Sequence, residues 1–193
     1  MQPLTRTKVA QIKLQYFGVK NMKELLIVVD YQNDFVDGSL GFEDAPKLHD
    51  YIVNEILKAE KNGVDVVFTK DTHLDNYMET EEGKNLPVKH CIKGTKGWNF
   101  YGKVEELSKN HKVFEKYTFP SGDLYEYLKD KDYERITLMG LVSTICVISN
   151  AVIAKAALPN AHIVVDSKGS DSYDKVMQEK GYDIMKNLHI EVK

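Results

Sequence analysis

The chain has 193 residues, with 26 Lys and Arg against 29 Asp and Glu, a formal charge of −3 and 42% hydrophobic residues. A chain of this length forms one domain that buries roughly 70% of its unfolded surface, so it can enclose a pocket without disulfide or metal staples. The near-neutral balance and the lack of a basic block exclude nucleic acid and anionic membranes as main partners. No apolar run approaches the roughly 20 residues of a membrane span. Cys91 and Cys146 alone do not make a secreted disulfide framework. Reduced thiols, a cytoplasmic location and a small-molecule partner are the expectation.

In chain order, Met1 to Asn21 carries Lys and Arg but no acid and lacks the apolar core of a signal peptide, so residues 1–22 read as an extension before a domain over 23–193. Leu25 to Val29 is a short apolar run typical of a strand covered on both faces, and Asp30 ends it. Pro46 opens a helix with Leu48, Tyr51, Ile52, Ile56 and Ala59 on one face and Gly63 as its stop. Val64 to Thr69 reads as the second strand, and Asp71 to Phe100 as a long polar connection of the kind that often carries function. Further strands are expected at Lys112 to Glu115, Arg135 to Met139, His162 to Val165 and Leu188 to Val192, separated by helices at Asp123 to Lys129, Thr144 to Leu158 and Tyr173 to Lys180. Strands alternating with helices imply an α/β fold: three layers (α/β/α), with a mostly parallel six-stranded, Rossmann-like sheet. Ligands of such sheets bind beyond the carboxyl ends of the strands.

Four of those ends carry reactive groups: Asp30, then Asp71 with His73, then Lys116, then Cys146 shortly after Gly140. Placed in the first turn of a helix and near a lysine, Cys146 is expected to hold a lowered pKa, since such surroundings take a thiol from about 8.5 to as little as 3.5 to 7.5. Taken singly, each residue has an ordinary structural role: a core cysteine, a turn aspartate, a solvated lysine. Together they make a proton acceptor, an electrostatic stabiliser and an attacking atom. Asp71 and His73, two apart on extended backbone, project to one side, where His90 can close from the following loop. That carboxylate and imidazole set suits a divalent ion (zinc, iron or manganese), against the plainer reading of a loop Asp with two exposed histidines. Cys91 reads as structural filler, and His49, His111 and His162 lie away from these strand ends.

The segments VDYQNDF, KDTH, HCIKGTKGW, FEKYTF and GLVSTICV, in this order from Val29 to Val147, resemble the isochorismatase-like cysteine hydrolase superfamily and its nicotinamidase branch, with the likeness running over Leu25 to Lys193. The resemblance implies Asp30 as general base, Lys116 as its ion-pair partner and Cys146 as nucleophile. It further implies an oxyanion hole from the backbone N–H groups of Val142 and Cys146, with a cis peptide between Leu141 and Val142. It implies a metal held by Asp71, His73 and His90. Where many nicotinamidases carry a third histidine this chain has none, and Glu82 is the candidate fourth ligand, with Glu81 or a water as substitutes. Leu86 and Pro87 stand where some nicotinamidases place a tryptophan. Phe35, Tyr77 and Trp98 are candidates for stacking on a flat ring. The implied activity is hydrolysis of a small amide, nicotinamide to nicotinate and ammonia, by a homo-oligomer. The alternatives are isochorismate or an N-carbamoyl compound as substrate, or a non-catalytic thiol redox sensor or small-molecule binding module.

Overall fold

The computed structural model describes residues 22–193, so the extension expected over 1–22 lies, apart from Met22, outside the described residues. Strand β1 (Glu24–Val29) is central, and its side chains divide by parity. Leu25, Ile27 and Val29 enter one core with Ile136, Leu138, Ala151 and Met185. Leu26 and Val28 enter the other with Ile52, Ile56 and Phe68. A strand with period-2 geometry and apolar residues at every position from Leu25 to Val29 can only be covered on both sides.

After β1 come the short helix α1 (Asn33–Val36), a 3₁₀ turn at Ala45–Leu48 holding Pro46, and helix α2 (His49–Lys61). Strand β2 (Asp65–Asp71), helix α3 (Glu81–Asn85), helix α4 (Lys103–Ser108), strand β3 (Lys112–Lys116) and helix α5 (Gly122–Leu128) follow. Strand β4 (Arg135–Leu141) leads through a π turn (Ser143–Val147) into helix α6 (Ile148–Ala157). Strand β5 (His162–Asp171), helix α7 (Lys175–Asn187) and the two-residue β6 (Glu191–Val192) complete the chain. The sheet order is β3-β2-β1-β4-β5-β6, and every pairing is parallel. The order reverses between β1 and β4, and a crevice opens there beyond the strands' carboxyl ends. Among the described residues no helix is long and apolar enough to cross a membrane.

Several boundaries differ from the sequence reading, each for a local reason. Strand β5 runs on through Asp166 to Asp171, because its buried polar residues find partners: Asp166 accepts from the Tyr51 hydroxyl at 3.0 Å and pairs with Lys193 at 3.2 Å. The final strand is shorter than Leu188 to Val192, because Leu188 N–H still bonds to Ile184 and Met185 carbonyls and His189 turns at φ +58°. Helix α7 begins later and runs further than Tyr173 to Lys180, with the Asp174 carboxylate capping Met177 N–H at 2.9 Å. Gly140 sits at φ +128°, where a Cβ would lie 2.0 Å from the Val29 carbonyl. Only glycine permits so close an approach of β4 to β1.

Candidate active site

Asp30 leaves β1 in the left-handed region at φ +46° and is fully buried. One carboxylate oxygen accepts from Thr69 Oγ1 at 2.7 Å, and the other lies 2.7 Å from Lys116 Nζ. Lys116 ends β3 directly beside Asp71 at the end of β2, and its ammonium also contacts Asp71 Oδ1 at 3.0 Å, Thr118 O at 3.0 Å and Cys146 Sγ at 3.5 Å. The acid, amine and thiol expected from separate strand ends therefore meet in one buried cluster. Asn150, a buried amide on the otherwise apolar α6, holds the thiol's turn in place: its Nδ2 donates to Cys146 O at 2.8 Å and Phe119 O at 3.1 Å, and its Oδ1 accepts from Ser121 N–H at 3.0 Å. The sequence reading missed Asn150, although an amide in a mostly apolar helix directly after the thiol is itself the signal.

The thiol departs from expectation. Burial pushes the Cys146 pKa well above its ordinary value, and Asp30 and Asp71 add to the rise against the opposing pull of Lys116. The turn holding Cys146 is a π turn ahead of α6, and the helix end and a single lysine do not prevail over burial, to which the two carboxylates add. The resting group is a thiol. Burial also raises Asp30, with Lys116 pulling down and Asp71 pushing up. For Lys116, burial pulls down but Asp30, Cys146 and Asp71 outweigh it, so the amine stays cationic.

Asp71 faces a second cluster with its other oxygen. Oδ2 lies 3.0 Å from His73 Nε2 and 3.5 Å from His90 Nε2, while Glu82 Oε1 lies 3.5 Å and 3.6 Å from the same two nitrogens. The donor atoms of Asp71, His73 and His90 fall within 4.8 Å of one another. His90 Nδ1–H donates to Val88 O at 2.8 Å, which leaves the Nε2 lone pair turned toward the carboxylates. His73 Nε2 is buried without a well-directed hydrogen bond. Nitrogen lone pairs facing carboxylate oxygens at these distances call for a cation between them, so the residues fit a divalent ion. For His90, burial pulls the pKa down, but Asp71, Val88 and Glu82 together raise it, which shows the same demand for positive charge. Burial and the neighbouring Asp71 raise Glu82.

A cavity of about 430 Å³ joins the two clusters, a size suited to a small ligand. Asp71, Glu82, His90, Val142 and Cys146 reach it, and Phe35, Leu40, Leu86, Phe119, Ile145 and Tyr173 form its apolar wall. The Leu141–Val142 peptide is cis, and Val142 O accepts from both Ile145 N–H and Val147 N–H, so the two expected oxyanion residues share one tight turn. Phe35 lies in the wall of the cavity.

Tyr77 and Trp98 do not line that cavity, a correction to the sequence reading. The Tyr77 ring packs behind the metal-type histidines, with centroids 4.6 Å from His73 and 5.0 Å from His90, and its hydroxyl donates to Leu86 O. Trp98 donates through Nε1 to Thr72 Oγ1 at 2.9 Å and carries Lys70 over its ring. Aromatic type and loop position alone do not say which way a ring faces. Leu40, Leu86, Phe119, Ile145 and Tyr173 went unnoticed as pocket residues because nothing separates them from packing residues in one sequence.

Residues 24–192 match the isochorismatase domain family. A Bacillus subtilis (strain 168) relative, an uncharacterized isochorismatase family protein, PncA, is 34% identical over 143 residues, which is 68% of this chain and 78% of the relative. The crystal structure of nicotinamidase PncA from Bacillus subtilis is similar at a TM-score of 0.78 and 30% identity, covering 89% of this chain and 99% of that one. N-carbamoylsarcosine amidase from Thermoplasma acidophilum is similar at a TM-score of 0.74 and 25% identity, covering 89% and 96%. On these grounds, and with an all-parallel six-stranded sheet covered by helices on both faces, the chain belongs to the isochorismatase domain family of hydrolases.

Proposed function

We propose that this chain is a cysteine amidohydrolase that cleaves a small, flat amide, with nicotinamide to nicotinate and ammonia as the best-supported reaction. The observation that carries the reading is one cavity reached by both Cys146 and the Asp71, Glu82 and His90 donors, with Asp30 and Lys116 behind the thiol. Its remaining wall is apolar and aromatic, and no Lys or Arg among the described residues lines it. A neutral ring suits that wall, whereas a carbamoylated amino acid brings a carboxylate with no cation among the lining side chains to receive it.

The chemistry follows from the proton inventory. Asp30 takes the Cys146 proton as sulfur attacks the amide carbonyl, and Lys116 keeps the emerging negative charge compensated. The tetrahedral oxyanion is stabilised by the backbone N–H groups of Val142 and Cys146. Asp30 then gives its proton to the departing nitrogen, which leaves as ammonia, and a thioester stays on Cys146. Asp30 next deprotonates water, which attacks the thioester, and the expelled thiolate recovers the proton. A raised carboxylate pKa suits this duty, because Asp30 must hold a proton between steps. Asp71, His73, Glu82 and His90 would hold a divalent ion, which supplies a Lewis-acidic partner for a substrate heteroatom.

Ammonia release from metal-supplied enzyme tests the reading, with nicotinamide, pyrazinamide and N-carbamoyl amino acids as the panel; hydrolysis of isochorismate, a vinyl ether without nitrogen, is followed by pyruvate release instead. Turnover of the aromatic amides, with a mass increase on Cys146 equal to the acyl group after acid quench, is the expected result. Release from none of the amides by metal-loaded protein removes the proposal.

A further inference from the structure

Strand β1 stops pairing with β2 at Val29 opposite Thr69, and one more bond, from Asp30 N–H to Thr69 O at 3.2 Å, closes the ladder. Asp71, two residues further along β2, has no β1 residue opposite it, because the chain has turned away at Asp30. The Gln32 side chain takes that place. Its Oε1 accepts from Asp71 N–H at 2.7 Å, and its Nε2 donates to Asp71 O at 2.8 Å and to Trp98 O at 2.9 Å. The amide is fully buried and has the donor and acceptor set of a peptide group, so it extends the ladder where the backbone has left.

We propose that Gln32 is a positioning residue that holds Asp71 in register for both halves of the site. Among the described residues, Asp71 is the one side chain in contact with both the Lys116 ammonium, at 3.0 Å, and the histidine cluster, at 3.0 Å to His73. A shift of its backbone moves the donor set against the thiol. The second Gln32 proton ties the Trp98 carbonyl to the same point, so the segment that follows His90 is fixed together with the strand carrying Asp71. This inference rests on the proposed role of Asp71 as a cation ligand.

The test is a Zn²⁺ titration against a competing chelator for the parent protein, Gln32→Met and Asn33→Ala, together with Tm values of the metal-free proteins. Gln32→Met preserves volume and removes all the side-chain hydrogen bonds. Asn33→Ala removes a neighbouring tie, Nδ2 to Lys96 O at 2.7 Å, without touching Asp71. The expected result is a Kd at least about tenfold weaker in Gln32→Met, as for loss of an outer-shell partner, with Asn33→Ala within twofold of the parent even if its Tm falls. Should Gln32→Met not fold, Gln32→Glu, which keeps the acceptor for Asp71 N–H, takes its place with the same expectation. A Kd unchanged in the Gln32 variant, an equal loss in Asn33→Ala, or no Zn²⁺ binding by the parent overturns the inference. Zn²⁺ binding by a parent that releases no ammonia would instead sink the amidase reading and leave this one standing.

Discussion

The thiol half and the cation half of the site rest on different kinds of backbone. Asp30 and Lys116 sit at the ends of paired strands, and Cys146 follows β4 by a tight turn that the Asn150 amide ties down, so sheet register sets most of their separations. His73, Glu82 and His90 lie in the connection between β2 and α4, whose regular structure is a 3₁₀ turn, the short α3 and two isolated bridges, His73 to Ile92 and Phe100 to Gln32. A few backbone bonds, such as His73 N–H to Cys91 O at 3.0 Å, anchor that segment, and side chains add the rest: Gln32 on Asp71, Asp34 accepting from Cys91 N–H at 2.7 Å, and Tyr77 behind both imidazoles. Regular structure places the groups that exchange protons at close range. Side-chain ties suffice for donors that a bound ion would draw together.

The largest effect should come from the thiol half. Cys146→Ala is expected to lower turnover by about four orders of magnitude, as for loss of a nucleophile, while Tm stays within a few degrees because the change removes one atom. Steady-state ammonia release and thermal melts check both parts. Lys116→Met comes next. It leaves Asp30 and Asp71 facing each other in the interior without their shared cation, and breaking a buried pair of this kind costs about 3–5 kcal/mol. Denaturant unfolding of the metal-free variant should show a loss of that size; a loss under 1 kcal/mol would mean the cluster is more hydrated than its burial suggests.

In the cation half, His73→Ala should weaken Zn²⁺ or Mn²⁺ at least about tenfold and raise KM more than it lowers kcat, since it removes a donor and leaves the thiol and base intact. Equal and mild effects on rate from His73→Ala and Cys146→Ala would contradict the division of labour. Acid should act through the residue that joins the halves. Although burial alone would raise it, Lys116, His73 and His90 hold the Asp71 carboxyl well below its ordinary 3.8. A depressed folded-state pKa contributes stability that is fully present above the unfolded value and is lost as pH falls below it. The Tm of metal-free protein should therefore drop between pH 4 and more acidic values, with a shallower slope in Asp71→Asn. Parallel slopes would assign the acid sensitivity to other carboxylates.

The sheet and the thiol cluster were legible in the sequence, because runs such as Leu25 to Val29 announce buried parallel strands and their terminal polar residues stand out against them. The cation donors were legible as residue types, and Asp71 and His73 as a spaced pair. The pocket wall was not legible. Ile145 and Phe119 read the same whether they face a core or a ligand, and Tyr77 and Trp98 differ from Phe35 only in the direction their rings take, which the loop decides. The lowered pKa expected for Cys146 rests on a lysine and a helix start, which the sequence shows, whereas the burial that mainly raises it, and the Asp30 and Asp71 carboxylates that add to the rise, are brought to the sulfur only by the fold.

The smallest expected effect sharpens the contrast most closely. Tyr77 supports the cation half in two ways, by ring packing against His73 and His90 and by a 2.8 Å hydrogen bond from its hydroxyl to Leu86 O. Tyr77→Phe keeps the ring and removes the bond, so it should cost about 0.5–1.5 kcal/mol of stability and leave the Zn²⁺ Kd within twofold. If the imidazoles are placed mainly by packing, the variant binds metal like the parent while melting a few degrees earlier. A tenfold weaker Kd at that modest stability cost would show that the tie to Leu86, and through it the approach of the segment carrying His90, governs the donor geometry. The cation half would then depend on directed hydrogen bonds as strictly as the thiol half depends on strand register.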